Sequence, residues 1–382
     1  MRVRQINWSK QSGWTGAEGL SKDASLVLYF GGREALACGA RYNELRQSFP
    51  DAHIVGCSTG GQISKDDISD DEVVAAAIGF DATKLRLSRQ EITDPRHSRQ
   101  CGEAIGRDLF ADDLAGVFVL SDGLNVNGSE LVAGFREVIS ADTPLTGGLA
   151  GDGADFRQTL VGADCVPRAR TVAAVGLYGS AIRVGHGCAG GWDLFGPRRN
   201  VTKSAGNVLF ELDGKPALDL YERYLGPEES KGLPGSALLF PIQVHDAEKP
   251  ETAVVRTVLA IDRTAGSMTF AGDIPQGWTA QFMRGNLDRL AAGAAEAARQ
   301  AREGVCANHK NEIFSILVSC IGRRLLMGQR ANDEVEAAGA ALGRDTPRVG
   351  FYSYGEISPH AQSGLCELHN QTMTVTTLTE VA

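Results

Sequence analysis

Three stretches of the chain share one hydrophobic pattern, in which an apolar run is followed by a helical segment and a second apolar run that leads into glycine. Strand, helix and strand follow in turn at 25–30, 33–48 and 52–55, at 116–120, 129–139 and 144–146, and at 313–318, 331–341 and 348–351. Helices that alternate with strands predict an α/β fold. The recurrence of the pattern predicts repeated strand–helix–strand units.

The segments between these units are richer in strands and leave mixed α+β as the alternative fold class. Apolar runs predict strands at 172–177, 181–184 and 252–262. An alanine-rich apolar stripe predicts a long helix over 279–303, and the polar run near 226–232 favours a boundary close by. We therefore expect two closely associated halves, residues 25–215 and 216–380, built from layered sheets and helices.

Charge and cysteine content limit which partners can bind the protein and indicate its cellular compartment. The 382 residues carry 38 Lys and Arg against 47 Asp and Glu, a net charge of -9, which argues against nucleic-acid binding. No apolar run is long enough to span a bilayer, so no membrane partner is expected. The eight cysteines are scattered without a C-x-x-C pair, a pattern typical of a reduced protein in the cytoplasm.

The glycine-rich segment that follows each unit carries the candidate binding chemistry. Glycine lets a ligand approach the backbone closely, and exposed N–H groups there can hold an anion. The sequence therefore predicts a small-molecule site where the glycine-rich ends from both halves converge on one cleft. The candidate ligand-binding residues are Cys57, Ser58, Thr59, Gly60, Asp122, Gly147, Gly148, Tyr354 and Glu356.

These glycine-rich ends also resemble a known family. Residues 56–61, 120–124 and 145–152 resemble the N-terminal half of FIST domains, and residues 319–323, 350–359 and 369–372 resemble the C-terminal half. The resemblance implies a sensory, small-ligand-binding module of signal transduction, for which amino acids are proposed as ligands. Within this family the chain is similar to the stand-alone bacterial branch, whose members bind haem b, sense nitric oxide and regulate a histidine kinase or a cyclic-di-GMP enzyme.

Three functions stay open at this stage. The leading one is a sensor without catalysis, in which a small ligand, or haem carrying nitric oxide, occupies a cleft between the two halves. For haem, His369 is the first candidate axial ligand and His186 the second. The second is metal-free binding of an amino acid or small anion by the residues around Cys57 and Asp122. The third is an enzyme that uses Cys57 or Cys320 as a nucleophile, which requires a lowered thiol pKa.

Overall fold

A computed structural model describes residues 1–16, 23–305, 312–360 and 363–381. Cys306 and His309 lie outside these ranges. The strands, in chain order, are β1 (Arg2–Ser9), β2 (Gly13–Thr15), β3 (Leu26–Gly31), β4 (His53–Ser58), β5 (Gln62–Ser64), β6 (Asp67–Ser69), β7 (Val73–Gly79), β8 (Lys84–Glu91), β9 (Leu114–Ser121), β10 (Leu145–Leu149), β11 (Val161–Ala163), β12 (Thr171–Tyr178), β13 (Ile182–Ala189), β14 (Trp192–Ala205), β15 (Val208–Leu212), β16 (Lys215–Pro216), β17 (Ile242–Asp246), β18 (Lys249–Arg256), β19 (Val258–Asp262), β20 (Ser267–Phe270), β21 (Thr279–Gly285), β22 (Ile313–Cys320), β23 (Arg348–Ser353), β24 (Gly355–Pro359), β25 (Cys366–His369) and β26 (Met373–Glu380).

The helices connect these strands or pack on their faces. They are α1 (Arg33–Ala37), α2 (Ala40–Ser48), α3 (Ser98–Leu109), α4 (Gly128–Arg136), α5 (Ala217–Lys231), α6 (Leu287–Glu303), α7 (Ile321–Met327) and α8 (Ala331–Leu342), with 3-10 turns at Pro95–His97, Gly235–Leu239 and Gly328–Arg330. The chain therefore has the mixed α/β architecture that the hydrophobic pattern predicts. Among the described residues, no helix is both long enough and apolar enough to cross a bilayer.

Each of the three repeated sequence units forms a pair of parallel strands. The pairs are β3 with β4, β9 with β10, and β22 with β23, and helices lie between the two strands of each pair along the chain. Parallel neighbours require such a crossover, because a tight turn can join only antiparallel strands. The six strands are almost entirely buried, which explains why most of their residues are apolar or glycine.

Two of the predicted helices differ from the structure. The helix expected over 33–48 is divided into α1 and α2 at Gly39, whose φ of 72° suits glycine. The N-terminal part of the helix expected over 279–303 is strand β21, and α6 begins only after Asn286, which caps it. The apolar residues of 279–285 are buried in a sheet, so periodicity over so short a run did not separate strand from helix.

Strands from the two halves of the chain share sheets. Three six-stranded sheets have the orders β11-β4-β3-β7-β1-β2, β25-β24-β10-β9-β12-β8 and β13-β26-β22-β23-β5-β6. The second contains β24 and β25 from the C-terminal half, and the third contains β5, β6 and β13 from the N-terminal half. The halves are therefore joined by main-chain hydrogen bonds as well as by side-chain packing.

A fourth sheet forms a separate layer. It has the order β18-β17-β21-β14-β15-β20-β19, with β16 paired to β15, and it packs with α5 around its own apolar cluster. Helices α3 and α4 pack against each other, as do α6 and α8, and α6 also covers β13. The three parallel pairs lie at the centre of this arrangement, where their ends can meet.

Candidate functional site

The ends of the three parallel pairs meet through backbone hydrogen bonds. The N–H of Gly60, after β4, donates to the carbonyl of Tyr352 in β23 at 2.8 Å. The N–H of Gly151, after β10, donates to the carbonyl of Ser58 at 3.0 Å, and that of Tyr354 donates to the carbonyl of Leu149 at 3.1 Å. The glycine-rich ends from both halves therefore converge, but they bond directly to one another, and the open space lies to one side.

A cleft of about 790 Å³ opens beside this junction. It is bounded by the residues that follow β3 and β4, by the segment after β10, and by helix α7. Its lining consists of Trp8, Lys10, Gly32, Arg33, Glu34, Ala35, Thr59, Gly60, Gln62, Asp70, Asp71, Asp152, Gly153, Ala154, Asp155, Ile321, Arg324, Leu325 and Gly328. Both halves of the chain therefore contribute walls to one cleft, whose size suits a small molecule.

One side of the cleft is a rigid ion pair. Arg33, directly after the end of β3, donates from Nη1 to Asp152 at 3.0 Å and from Nη2 to Asp155 at 3.2 Å. The side chain of Asp152 is fully buried and also accepts the N–H groups of Arg157 and Gln158, each at 2.9 Å. The hydroxyl of Tyr354 donates to the same carboxylate. These bonds hold the Asp152 carboxylate in place, and Arg33 is in turn held by Asp152 and Asp155.

The opposite side is a second ion pair, which is more exposed. Arg324 in α7 donates from Nη1 and Nη2 to the two carboxylate oxygens of Asp70, at 2.6 and 2.8 Å. The Arg324 side chain is 22% exposed and that of Asp70 is 67% exposed. The hydrogen bonds from Arg324 lower the pKa of Asp70. Arg324 also donates to the carbonyl of Gly60, so it touches both the N-terminal half and the strand junction.

The charge of the cleft is mixed, with an acidic excess. Three basic and five acidic side chains line it. Among the residues that the structure describes, the carboxylates of Glu34 and Asp71 form no ion pair. Guanidinium groups bind carboxylates in a bidentate manner, and unpaired carboxylates attract a cation. The arrangement thus provides partners for both ends of a small zwitterion.

Only part of the predicted ligand set lines this cleft. Thr59 and Gly60 do so, whereas Tyr354 lies behind it and holds Asp152 in place. Ser58 is fully buried, and its hydroxyl accepts the N–H of Leu160 at 2.8 Å. The thiol of Cys57 is buried in an apolar cluster with Val55 and other core residues. The prediction that Cys57 and Ser58 contact a ligand is therefore not supported by their positions.

The remaining predicted residues serve the fold. Asp122 is buried and accepts the N–H groups of Leu124, Asn125 and Arg170, at 2.8, 2.8 and 2.6 Å. Such bonds close the loop after β9, and they leave the carboxylate enclosed. Asp122 is predicted to contact a ligand, and in this structure it is enclosed and does not line the cleft.

Glu356 and the two glycines are also enclosed. Glu356 accepts the hydroxyls of Ser353 and Thr372, at 2.6 and 2.8 Å, and burial raises its pKa to about 8. A Cβ on Gly147 would lie 1.9 Å from the carbonyl oxygen of Val119, and one on Gly148 would lie 2.7 Å from a side-chain carbon. The glycines therefore permit close strand packing, and their amides do not form the predicted ligand nest.

The surroundings of His369 do not fit an axial haem ligand. Its ring is 3% exposed, and Nε2 donates to the carbonyl of Ser358 at 2.9 Å. Burial lowers its pKa to about 3, so the ring is neutral. The described lining of the cleft contains no histidine or cysteine, and His186 is likewise absent from it. Within the described ranges, no group of three His, Cys, Asp or Glu side chains is placed to hold a metal ion.

The two candidate nucleophiles are enclosed as well. Cys57 is 0% exposed and Cys320 is 2% exposed. Burial raises the pKa of both thiols above the usual range, and a thiol without a lowered pKa is a poor nucleophile. These positions argue against a reaction that proceeds through either sulfur.

The two arginines were missed as site residues because each is a single cation without a motif. A positional indication was present, since Arg33 follows Gly31 and Gly32 at the end of β3, and Arg324 lies four residues after the end of β22. Both therefore stand at carboxyl ends of central strands, where open α/β sheets bind ligands.

Comparison with known proteins identifies the family of most of the chain. A family model described as the FIST N domain matches residues 25–215, and one described as the FIST C domain matches residues 217–359. An uncharacterized protein from Methanocaldococcus jannaschii is 29% identical over 205 residues, which cover 48% of this chain and 36% of that protein. The chain thus spans about a third of the length of this curated relative.

A solved structure is similar at a lower level. The crystal structure of a cyanuric acid hydrolase from A. caulinodans has a TM-score of 0.35 and 9% identity, over 99% of this chain and 97% of that one. A TM-score of this size carries no argument about fold or activity. The two family models, unlike this solved structure, do identify the family, because together they extend from β3 to β24. FIST domains are small-ligand sensing domains of signalling proteins, and this chain belongs to the FIST family.

Proposed function

We propose that this protein senses a small zwitterionic molecule, such as a free amino acid, in the cleft between Arg33 and Arg324. The observation that carries the proposal is one cleft with a guanidinium from each half of the chain and an excess of carboxylates. In this arrangement Arg324 receives the carboxylate of the ligand, while Asp71 and Glu34 attract its ammonium group. A neutral molecule or a simple cation would use only part of this lining.

The unequal strength of the two ion pairs supplies a switch. The Asp70 carboxylate is 67% exposed, so it returns to water at little cost when the carboxylate of a ligand replaces it on Arg324. The pair of Arg33 with Asp152 differs, because the Asp152 carboxylate is enclosed and is also bonded to two backbone N–H groups and to the Tyr354 hydroxyl. The Asp152 carboxylate is fully buried, so this second pair stays intact. Ligand binding then releases Asp70 and the segment that joins β6 to β7.

The released segment gives a partner a surface that differs between the two states. Asp70 lies between β6, an edge strand of the third sheet, and β7 in the first sheet. A partner that contacts this segment would distinguish the ligand-bound form from the free form, and the coupling is set by the difference in affinity. The family resemblance makes a histidine kinase or a cyclic-di-GMP enzyme the partner to test first. A sensor that binds haem would need an axial ligand other than His369, because the His369 ring is enclosed and bonded to the carbonyl of Ser358.

Isothermal titration calorimetry with the twenty free amino acids, one at a time, tests the proposal. We expect saturable binding of at least one of them. Arg324→Gln should weaken that binding by about tenfold or more, since a charge-assisted bidentate contact is lost. Asp70→Asn should strengthen it, because the competing carboxylate is removed from Arg324.

Arg330→Gln is the matched control. Arg330 is a nearby exposed arginine paired with Asp288 and Asp333, and it does not line the cleft. Its substitution should leave the affinity unchanged. Binding that Arg324→Gln and Arg330→Gln weaken equally, or no binding by any amino acid, would contradict the proposal.

A further inference from the structure

A second cavity, of about 430 Å³, shares no lining residue with the cleft. It is formed where α4 approaches β18 and the segment 365–368, with Asp273, Pro275 and Trp278 closing one side. Strand β25 joins this region to β24, and α4 packs on β25. The cavity therefore sits where the fourth sheet meets the central layers.

Arg256 supplies a buried cation to this cavity. It is 6% exposed, and its guanidinium donates to the backbone carbonyls of Asp273 and Leu368, at 3.0 and 2.9 Å. Burial lowers its pKa, which reflects the cost of holding the charge there. Among the described residues, no carboxylate forms an ion pair with Arg256, and those of Asp273 and Glu367 favour its charge only from a greater distance. A buried guanidinium without a directly bonded carboxylate can still gain from one.

Arg136, at the end of α4, adds unused donors. Its Nη1 donates to the carbonyls of Ser140 and Thr143, at 2.6 and 2.9 Å. Its Nε and Nη2 are buried and have no hydrogen-bond partner among the described residues. The neighbouring thiol of Cys366 is at most a weak acceptor, and it donates to the carbonyl of Leu145 at 3.2 Å. Buried donors without acceptors are rare and call for an explanation.

The walls between these arginines are largely apolar, and the lining carries three acidic side chains against its two arginines. Val132, Val254 and Leu368 are each at most 3% exposed, and the Trp278 ring lies beside them in the lining. The acidic side chains in the lining are Glu130, which is paired with Arg99 at 2.9 Å, together with Glu367 and Asp273. Such acids disfavour a ligand with more than one negative charge.

We propose that this cavity is a second binding site, specific for a small organic acid with one carboxylate and an apolar body. The carboxylate accepts from Nε and Nη2 of Arg136 and compensates the charge of Arg256, while the apolar body contacts Trp278 and the aliphatic walls. Two donors on one edge of a guanidinium match the two oxygens of a carboxylate. The site does not depend on the cleft at Arg324, so either proposal can fail without the other.

Calorimetry with 3-phenylpropanoate as the probe tests this site, and 3-phenylpropan-1-ol serves as the uncharged analogue. We expect saturable binding of the acid, and binding at least about tenfold weaker for the alcohol, because the alcohol leaves the Arg136 donors unpaired. Arg136→Met should weaken binding of the acid to a similar degree. Arg107→Met, at an exposed arginine of the adjacent helix α3, is the matched control and should have no effect.

A second variant covers the case in which Arg136→Met does not fold. Leu365 is 55% exposed in the cavity wall, so Leu365→Asp adds a negative charge without disturbing the core. This variant should weaken binding of 3-phenylpropanoate by at least the factor that separates the acid from the alcohol in the unaltered protein. The proposal is overturned if 3-phenylpropanoate does not bind up to millimolar concentration, if the alcohol binds as tightly, or if Leu365→Asp leaves the affinity of the acid unchanged.

Discussion

Glu334 holds a buried arginine beside the cleft, and replacing it tests how the binding helix is anchored. Its carboxylate accepts Nε and Nη2 of Arg323 at 2.8 and 2.7 Å, and the hydroxyls of Ser319 and Tyr352 at 2.9 Å each. Both charged side chains are 0% exposed. Arg323 precedes Arg324 in α7, so this network sets the position of the helix that forms one wall of the cleft.

The expected loss in Glu334→Gln follows from this burial. The substitution keeps the shape of the side chain, removes the negative charge and leaves Arg323 buried without a counter-ion. Removing one partner of a buried ion pair costs about 3–5 kcal/mol. The exposed pair of Arg299 with Glu296 provides the comparison, because Glu296→Gln should cost only about 0–1 kcal/mol.

Urea denaturation followed by circular dichroism measures the free energy of unfolding of both variants. The double variant Arg323→Met with Glu334→Gln should recover part of the loss, because it removes the uncompensated positive charge while the glutamine amide still accepts the hydroxyls of Ser319 and Tyr352. If Glu334→Gln is no less stable than Glu296→Gln, or if the double variant is less stable than Glu334→Gln, then the buried pair does not anchor α7 as argued.

Three further predictions concern the enclosed residues. Because the pKa of Glu356 is raised from 4.5 to about 8, its contribution to stability is complete below pH 4.5 and is lost as the pH rises to 8; Glu356→Gln should flatten the fall in melting temperature over that range, and an unchanged slope would refute this. Gly147→Ala should cost at least about 3 kcal/mol, because the new Cβ meets the carbonyl of Val119 and φ is 138°, so a wild-type melting temperature would contradict the packing. On addition of haemin, the absorption spectrum of His369→Ala should match that of the wild type, since Nε2 is already bonded to a carbonyl; a Soret band that depends on His369 would overturn this.

The central part of the fold was predictable because its strands are buried on both faces. Strongly apolar runs such as residues 26–31 and 313–320 have few alternatives to a buried strand, and the helices between the paired strands follow from the crossover that parallel pairing requires. The exchange of short strands was not predictable. Strand β5 has only three residues, and its partner β23 lies almost three hundred residues away, so no local pattern indicates the pairing.

The location of the candidate site was predictable from the sequence, whereas most of the residues that line it were not. Glycine-rich ends indicated where the strands converge, and Thr59 and Gly60 do line the cleft. The same pattern cannot distinguish a glycine that admits a ligand from one that admits another strand, and Gly147 and Gly148 lie against neighbouring strands. Arg33 and Arg324 come to line one cleft only through tertiary structure, because nothing in their local sequence relates the two positions.

A crystal structure of the protein with the amino acid that binds most tightly would show whether the ligand replaces Asp70 on Arg324. We expect density for the ligand in the cleft, its carboxylate on Arg324 in place of Asp70, and an unbroken pair between Arg33 and Asp152. Density at another site, or a bound ligand that leaves the Asp70 carboxylate on Arg324, would contradict it.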